Sequence, residues 1–352
     1  MKTSAIILVG GEGTRLRPLT LELPKPVVPV LDRPFLKFQL EMLRKAGIED
    51  IVLCVAFRPE GIRAVLGDGQ DDGVRLTYVL EETPLGTGGA VKNAEGALGD
   101  RVVVMNGDVL ADMDLAAILR THEDARASAT IVLHPVDNPS AYGLVETDPA
   151  GRVQRFIEKP NPDQITTNRI NAGLYVLETR TLSIMPKGEP YSIERGYFPT
   201  LIQSGEHVQS YTHSGYWIDI GTHQKYLQVH LDLLSRRFPC DIRADARGRG
   251  FVHASASVDP SAELSGAFFI GPGCEVGAGS KIEDGATLVG KVRVHGGTVR
   301  RSVVWEETQI GDQSTIDGAL IGRRVRVGKH CFVGAGAALG NDTHFNDYSR
   351  TA

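Results

Sequence analysis

Aliphatic residues recur at six-residue intervals through the last third of the sequence. The first run is Val252, Val258, Leu264, Ile270, Val276, Ile282, Leu288 and Val294. A second run, with one five-residue step, is Ile310, Ile316, Ile321, Val327, Val333 and Leu339. A period of six matches neither a helix nor a simple strand, whose side chains repeat every 3.6 and 2 residues. It is typical of a parallel β-helix, in which each hexapeptide forms one face of a coil and its aliphatic side chain points inward. We therefore predict a β-helix over residues 250–352.

Two segments depart from this repeat. Residues 295–309, "HGGTVRRSVVWEETQ", break the six-residue period, and we expect either a distorted coil or a loop there. Residues 236–250, "RRFPCDIRADARGRG", are polar and rich in Arg and Gly, which is typical of a linker. The sequence thus predicts two domains, residues 1–240 and 250–352, in keeping with a length of 352 residues.

The first 235 residues alternate between short β-branched runs and longer amphipathic ones. "AIILVGG" is followed by "PFLKFQLEMLRKAGI" and "DIVLCVAF", and "RVVVMNGD" by "LAAILRTHEDAR". This alternation predicts βαβ units and a mostly parallel, Rossmann-like α/β sheet. Ligands collect beyond the carboxyl ends of parallel strands, so Asp108, which follows the strand "VVVM", is a candidate site residue.

Charge and cysteine content exclude some partners and indicate a compartment. The formal net charge of −5 argues against nucleic acid or an anionic membrane as the main partner, because both attract an excess of Lys and Arg. The four cysteines are far apart, with no CxxC pair, which favours a reducing cytoplasm. The apolar run at residues 5–9 is too short for the core of a signal peptide, and no stretch approaches a membrane span.

The loop after the first strand, "GGEGTRLRPLTLELPKP", carries glycines and fixed cations. A dinucleotide site needs a third small residue where Leu16 stands, and the Walker sequence is absent. What remains is a glycine turn whose backbone N–H groups can approach a phosphate or a base, followed by Arg15, Arg17 and Lys25. Prolines on both sides of Lys25 stiffen its backbone. This pattern favours binding of a polyphosphate over a plain basic surface turn.

Six motifs in order resemble those of the sugar-1-phosphate nucleotidylyltransferases. They are "GGEGTRL" with "PKP", Asn106-Gly107-Asp108, Tyr142-Gly143, "FIEKP" at 156–160, Asn171-Ala172-Gly173 and "WIDIGT" at 217–222. The resemblance covers essentially the whole chain. It implies a GT-A-like catalytic domain followed by a left-handed β-helix. The implied reaction transfers a nucleotidyl group from an NTP to a sugar 1-phosphate with release of pyrophosphate.

The resemblance also assigns residues to the nucleotide, the phosphates and a metal. It implies Arg15, Lys25 and Lys159 as the catalytic cations, and Asp108 and Asp219 as ligands of Mg²⁺, a cation that prefers oxygen donors. It implies contacts of the nucleotide with Leu8, Gly10, Gly11, Gly13, Thr14, Arg15, Glu81, Gly86, Thr87, Gly88 and Asp108. The sugar would contact Gly143, Glu158, Lys159 and Asn171, while Tyr142 is either a packing ring or a sugar contact.

Glu81 favours GTP as the nucleotide. Thymidylyl-transferring members of the family carry Gln near this position, whereas a carboxylate can accept hydrogen bonds from N1–H and the 2-amino group of guanine. "PLGTGGA", "YWIDIGT" and the hexapeptide tail look most like mannose-1-phosphate guanylyltransferases. Three alternatives stay open: a different sugar 1-phosphate such as heptose or glucose 1-phosphate, a different NTP, and a catalytically silent regulatory subunit.

The β-helix also predicts self-association. Its open end and flat sides are sheet surfaces that have to be covered. We therefore expect a homo-oligomer.

Overall fold

The computed structural model describes residues 1–351, which form two compact units. The first unit comprises Met1–Gly11 and Leu36–Trp217, and the second comprises Glu12–Phe35 and the chain from Ile218 onward. The loop with Arg15 and Lys25 therefore belongs to the unit that contains the β-helix. The division into domains 1–240 and 250–352 stays a prediction.

Helices and strands alternate through the N-terminal two thirds of the chain. The helices are α1 (Leu36–Lys45), α2 (Pro59–Leu66), α3 (Gly86–Asn93), α4 (Leu115–Asp124), α5 (Phe198–Gln203) and α6 (His223–Leu234). The strands are β1 (Thr3–Leu8), β2 (Pro29–Val30), β3 (Arg33–Pro34), β4 (Asp50–Val55), β5 (Arg75–Leu80), β6 (Arg101–Asn106), β7 (Val109–Ala111), β8 (Ala129–Pro135), β9 (Leu144–Thr147), β10 (Val153–Ile157), β11 (Arg169–Glu178), β12 (Val208–Thr212) and β13 (Trp217–Asp219). No helix within residues 1–351 combines the length and apolarity that crossing a membrane requires.

The first unit is built on a nine-stranded sheet with the order β10-β9-β11-β6-β1-β4-β5, in which β8 pairs with β11 and β12 with β8. The strands β5, β4, β1 and β6 are parallel, which confirms the predicted Rossmann-like arrangement. The sheet is mixed overall, because β11 runs antiparallel to β6, β8 and β9. The carboxyl ends of β1, β4 and β6 share one edge, and the glycine loop and Asp108 follow directly from it.

Burial explains why these strands have continuous apolar sequences. Strands in the middle of a parallel sheet are covered on both faces, so they show no polar alternation. Ile6 of β1 and Val104 of β6 are fully buried, and both belong to a core that includes Tyr175 and Phe198.

The second unit contains the predicted β-helix, which consists of three ladders of short parallel strands. The strands are β14 (Asp245–Arg247), β15 (Gly250–Val252), β16 (Ser257–Val258), β17 (Glu263–Leu264), β18 (Phe269–Ile270), β19 (Glu275–Val276), β20 (Lys281–Ile282), β21 (Thr287–Leu288), β22 (Arg293–Val294), β23 (Thr298–Arg300), β24 (Val303–Val304), β25 (Gln309–Ile310), β26 (Thr315–Asp317), β27 (Leu320–Ile321), β28 (Arg326–Val327), β29 (Phe332–Val333), β30 (Ala338–Leu339) and β31 (His344–Phe345). The ladders are β15-β18-β21-β24-β27-β30, β16-β19-β22-β25-β28-β31 and β17-β20-β23-β26-β29, and β14 joins the first in antiparallel pairing.

The aliphatic residues of the six-residue repeat form the core of this coil, buried or packed against it as predicted. Residues 295–309 form a distorted coil rather than a loop. Glu275 pairs with Arg293, 18 residues on, whereas Arg293 pairs with Gln309, 16 residues on. A turn shortened by two residues breaks the period without breaking the ladder.

The rest of the second unit packs on the β-helix. In α6 the buried Tyr226 donates a hydrogen bond to the carbonyl of Pro29, and its hydroxyl accepts one from Trp305 Nε1 at 3.0 Å. Asn341 near the end of the coil donates a hydrogen bond to Glu22 at 2.9 Å. These contacts hold the segment 12–35, which carries Arg15 and Lys25, within the second unit.

Candidate functional site

The glycine loop begins at the carboxyl end of β1, and its first glycine lies against Glu81. A β-carbon added at Gly10 would lie 3.3 Å from the β-carbon of Ala56 and 3.4 Å from Glu81 Oε1. The other carboxylate oxygen, Glu81 Oε2, accepts a hydrogen bond from the Leu85 N–H at 2.9 Å. At Gly11 an added β-carbon would meet no atom within 4 Å. The loop therefore presents an open face at Gly11, and Glu81 is fixed beside Gly10 with one oxygen toward it.

The glycines in the first turn of α3 allow a close contact with the backbone at Tyr191. Gly86 has a φ of 70°, and an added β-carbon there would lie 2.8 Å from the Tyr191 carbonyl oxygen. The N–H groups of Gly88 and Gly89 both donate to that carbonyl, at 2.8 and 3.1 Å. The N–H of Gly88 is thus engaged within the protein, and a role for this residue in nucleotide binding stays a prediction.

Asp108 follows β6 on a turn that is held from two sides. The Gln39 side-chain amide donates to the carbonyl of Asn106 at 2.8 Å, and the Gly107 N–H donates to the carbonyl of Leu8 at 3.0 Å. A β-carbon at Gly107 would come within 2.7 Å of that carbonyl, so only glycine fits. The turn fixes the direction in which the half-buried Asp108 leaves the sheet.

In the second unit, Gly13 allows the loop to close on Lys25. Gly13 has a φ of 65°, and a β-carbon there would lie 3.0 Å from the β-carbon of Lys25. The Thr20 hydroxyl donates to the Gly13 carbonyl at 2.8 Å and closes the loop. Lys25 begins a short 3₁₀ turn between prolines and is only 9% exposed, whereas Arg15 is exposed. The loop thus carries one buried cation, Lys25, and one exposed cation, Arg15.

Asp219 and Arg15 lie together in the second unit. A β-carbon added at Gly221 would be 3.0 Å from both Arg15 Nη2 and Asp219 Oδ2. Lys225, in the first turn of α6, forms a salt bridge with Asp219, and the Thr222 side chain accepts a hydrogen bond from the Lys225 N–H at 3.3 Å. Arg15 and Lys225 therefore both border the Asp219 carboxylate.

The carboxylate oxygens of Asp108 and Asp219 are suitable ligands for a hard cation that keeps most of its water ligands. Among residues 1–351 there is no group of three or more His, Cys, Asp or Glu side chains arranged for a metal ion. Two carboxylates are sufficient for Mg²⁺ when substrate phosphates and water supply the remaining oxygens. Asp108 belongs to the first unit and Asp219 to the second, and their joint role stays a prediction.

Three of the residues predicted to contact a sugar are close together in the first unit. The Asn171 N–H donates to the Gly143 carbonyl at 2.8 Å, and a β-carbon at Gly143 would lie 2.7 Å from Glu158 Oε2. The Glu158 carboxylate accepts no hydrogen bond from residues 1–351. Burial, and secondarily the charge of Glu194, raise the pKa of Glu158 above its ordinary value. Lys159 follows it in a left-handed backbone conformation and is exposed.

Tyr142 packs against Trp217. The two rings meet edge to face with centroids 5.6 Å apart, and Trp217 Nε1 donates to the Ala172 carbonyl at 2.9 Å. This contact gives Tyr142 a packing role, and its proposed contact with a sugar stays a prediction.

A polar network that the sequence did not predict lies beside these residues. The Tyr175 hydroxyl donates to Glu194 at 3.2 Å, and the hydroxyls of Thr87 and Ser192 donate to the same carboxylate at 2.8 Å. Tyr175 lies in the largely apolar sequence of β11, and no spacing rule connects it to Glu194. Lys225 was missed for the same reason, since it pairs with Asp219 across the start of a helix.

Comparisons with known proteins show the family to which the chain is similar. The family model described as nucleotidyl transferase matches residues 4–236. A mannose-1-phosphate guanylyltransferase of Mycobacterium tuberculosis is 41% identical over 300 residues, 85% of this chain and 83% of the relative. A mannose-1-phosphate guanyltransferase of Debaryomyces hansenii is 36% identical over 97% of this chain and 92% of its own length.

Solved structures show the same fold. A putative glucose-1-phosphate thymidylyltransferase from Bacillus anthracis, solved with sucrose, has a TM-score of 0.62 at 24% identity and covers 68% of this chain and 98% of its own. HddC from Yersinia pseudotuberculosis has a TM-score of 0.57 at 28% identity and covers 66% of this chain and 100% of its own.

Proposed function

The chain belongs to the nucleotidyl transferase family, and on this premise we propose that it transfers the guanylyl group of GTP to mannose 1-phosphate. An oxygen of the sugar phosphate attacks the α-phosphorus of GTP. The bond from that phosphorus to the oxygen bridging to the β-phosphate breaks, and GDP-mannose and pyrophosphate are formed. The relatives named above support this choice of substrates.

The observation that carries the choice of base is the position of Glu81. Its Oε1 lies beside Gly10, at the open loop where the nucleotide is proposed to bind, while Oε2 is held by the Leu85 N–H. A carboxylate only accepts hydrogen bonds, and guanine offers two adjacent donors, N1–H and the 2-amino group. Adenine and thymine lack that pair. The fixed carboxylate therefore supports GTP over ATP or dTTP.

Arg15 and Lys25 supply the charge that two polyanionic reactants need. Negative charge accumulates on the leaving pyrophosphate, and cations held near it lower the barrier. We assign the exposed Arg15 to the β- and γ-phosphates, since an exposed guanidinium can follow them, and the buried Lys25 to the reacting phosphate, since its backbone is fixed. Lys159 would hold the phosphate of the sugar.

Members of this family generally use a divalent metal ion, and we assign Mg²⁺ to Asp108 and Asp219. When bound, Mg²⁺ screens the phosphate charges and orients their oxygens. Asp219 is already bordered by Arg15 and Lys225, which stabilise its charge before substrate arrives.

Gly143, Glu158 and Asn171 are assigned to the hydroxyls of mannose. Glu158 supports this role because its carboxylate is half buried and has no hydrogen-bond donor within residues 1–351. An acceptor that no protein donor engages can accept hydrogen bonds from sugar hydroxyls.

We also propose a homo-oligomer assembled through the β-helix, in a reducing, cytoplasmic compartment. Among residues 1–351 no disulfide joins the four cysteines, which supports the compartment. A monodisperse monomer in light scattering at micromolar concentration would contradict the assembly.

The substrates are tested by measuring pyrophosphate release from GTP, ATP, UTP, CTP and dTTP, each with mannose, glucose and heptose 1-phosphates. The proposal expects GTP with mannose 1-phosphate to give the highest kcat/KM. It also expects the Glu81→Gln variant to lose at least tenfold of its preference for GTP over ATP, because an amide presents a donor toward guanine. A wild-type preference for another NTP would overturn the choice of base, and no release from any pair would overturn the enzyme itself.

A further inference from the structure

Glu194 is the centre of a hydrogen-bond network that the proposed reaction does not yet use. It lies in the π-helical turn Ile193–Tyr197 and is half buried. Its Oε1 accepts from the Tyr175 hydroxyl at 3.2 Å, and its Oε2 accepts from the Thr87 and Ser192 hydroxyls at 2.8 Å each. Three hydroxyl groups thus donate hydrogen bonds to this one carboxylate.

The carboxylate determines the direction of the hydrogen bonds that follow. An ionised carboxylate can only accept hydrogen bonds, so the Tyr175 hydroxyl donates its single proton to the hydrogen bond with Glu194. The Tyr175 oxygen is then left as an acceptor, and Asn171 Nδ2 donates to it at 2.6 Å. Asn171 Oδ1 consequently points the other way and accepts from the Gly173 N–H at 3.0 Å. The chain of bonds runs in one direction from Asn171 to Glu194.

A bulge in β11 makes this chain possible. Residues four apart in a regular strand are about 13 Å apart along it. The pairing of β11 with β8 shifts register between Asn171 and Tyr175, and Gly173 within the bulge has a φ of 75°. A β-carbon at Gly173 would lie 2.7 Å from Asn106 Nδ2, so glycine is required. The bulge brings the Asn171 amide onto the buried Tyr175 hydroxyl.

We infer that Glu194 is a positioning residue for the sugar: through Tyr175 it fixes which way the Asn171 amide faces. Each amide has two N–H donors and two oxygen lone pairs. One N–H is committed to Tyr175 and one lone pair to Gly173, which leaves one donor and one acceptor in fixed directions for a pair of sugar hydroxyls. Thr87 and Ser192 hold the carboxylate in place. This inference rests on the proposed function, which assigns Asn171 to the hydroxyls of the sugar.

The test compares three variants in the full-length protein. Glu194→Gln keeps the shape but places an amide donor where three donors converge, so it disturbs the direction of the network. Tyr175→Phe removes the hydroxyl that joins Asn171 to Glu194 and leaves the hydrogen bonds from Thr87 and Ser192 to Glu194 in place. Tyr197→Phe is the matched control, because it removes the hydroxyl of a second buried tyrosine, which is hydrogen-bonded to the Thr181 hydroxyl, and leaves the path from Glu194 to Asn171 intact.

Two readouts are needed. The first is the KM for mannose 1-phosphate and for GTP, measured by pyrophosphate release. The second is the ¹H–¹⁵N NMR signal pair of the Asn171 side-chain amide in ligand-free protein, assigned by its loss in Asn171→Asp.

The inference expects Glu194→Gln and Tyr175→Phe to raise the KM for the sugar phosphate about tenfold or more, and Tyr175→Phe to leave the KM for GTP within twofold of wild type. Both variants should also move the Asn171 amide signals, and Tyr197→Phe should change neither readout. Unmoved amide signals in Glu194→Gln, or a sugar KM in Glu194→Gln equal to that of Tyr197→Phe, would overturn the inference. If wild-type protein turns over no substrate pair, the proposed function fails, and the amide signals alone decide whether Glu194 positions Asn171.

Discussion

Gly11 and Gly13 lie in one loop but meet different surroundings, so replacing each with alanine should separate folding from nucleotide binding. Gly13 has a φ of 65°, and its added β-carbon would lie 3.0 Å from the Lys25 β-carbon. Gly11 has no such φ, and its added β-carbon would meet nothing within 4 Å. The protein itself thus leaves room at Gly11 and none at Gly13.

The magnitudes follow from these two environments. A left-handed conformation costs an L-residue about 1–2 kcal/mol, and the contact with Lys25 adds to it, so we expect Gly13→Ala to destabilise the second unit by about 2 kcal/mol. For a unit of this size that corresponds to a fall in Tm of about 4–8 °C. Gly11→Ala should leave stability unchanged or raise it by up to about 1 kcal/mol, because alanine restricts the unfolded chain.

Nucleotide binding should show the opposite pattern, with the larger effect in Gly11→Ala, the variant that keeps its stability. A methyl group at position 11 occupies space that the proposed nucleotide needs, so the KM for GTP should rise at least tenfold, which is about 1.4 kcal/mol of binding free energy. Thermal unfolding and steady-state kinetics on both variants check this. The reasoning is refuted if Gly11→Ala binds GTP like wild type, or if it lowers the Tm as much as Gly13→Ala does.

Three further predictions concern other parts of the two units. Burial raises the pKa of Glu158, so keeping this carboxylate charged lowers the stability of the folded protein. This loss of stability is absent below the ordinary pKa of 4.5 and complete above the raised pKa. Glu158→Gln should therefore raise the Tm at pH 7, and this increase should vanish near pH 4. Gly221→Ala places a β-carbon 3.0 Å from Arg15 Nη2 and should lower kcat ten- to a hundredfold, since misplacing a catalytic group by about 1 Å has such effects, with little change in Tm. Burial raises the pKa of Cys54 to about 12, so iodoacetamide at pH 8 should modify the half-buried Cys240 first and spare Cys54 in native protein, as followed by mass spectrometry.

The repeat and the glycine loop were predictable because each depends on local rules. Inward-facing residues of a β-helix recur at a fixed interval, so Ile270 and Ile316 could be assigned to the core from their spacing alone. The turn at Gly107 could be located because polar residues after a buried strand mark the carboxyl edge of a sheet. Such features need only the neighbouring sequence.

The network around Glu194 was not predictable in the same way. It depends on a bulge that brings Asn171 onto Tyr175 and on a π-helical turn that presents Glu194, and neither leaves a periodic signal. The inclusion of residues 12–35 in the second unit was also unseen, because it rests on tertiary contacts such as that between Glu22 and Asn341. Long-range pairing of polar groups is settled by the fold, not by local spacing.

The account is tested most directly by following both products of one reaction. Purified protein with GTP, mannose 1-phosphate and Mg²⁺ is sampled over time, GDP-mannose is quantified by anion-exchange chromatography, and pyrophosphate is quantified enzymatically in the same samples. We predict that the two products appear in a 1:1 ratio, and that Asp108→Asn, in protein with an unchanged circular dichroism spectrum, lowers the rate of both at least a hundredfold. Pyrophosphate without GDP-mannose, neither product, or full activity in Asp108→Asn would contradict the account.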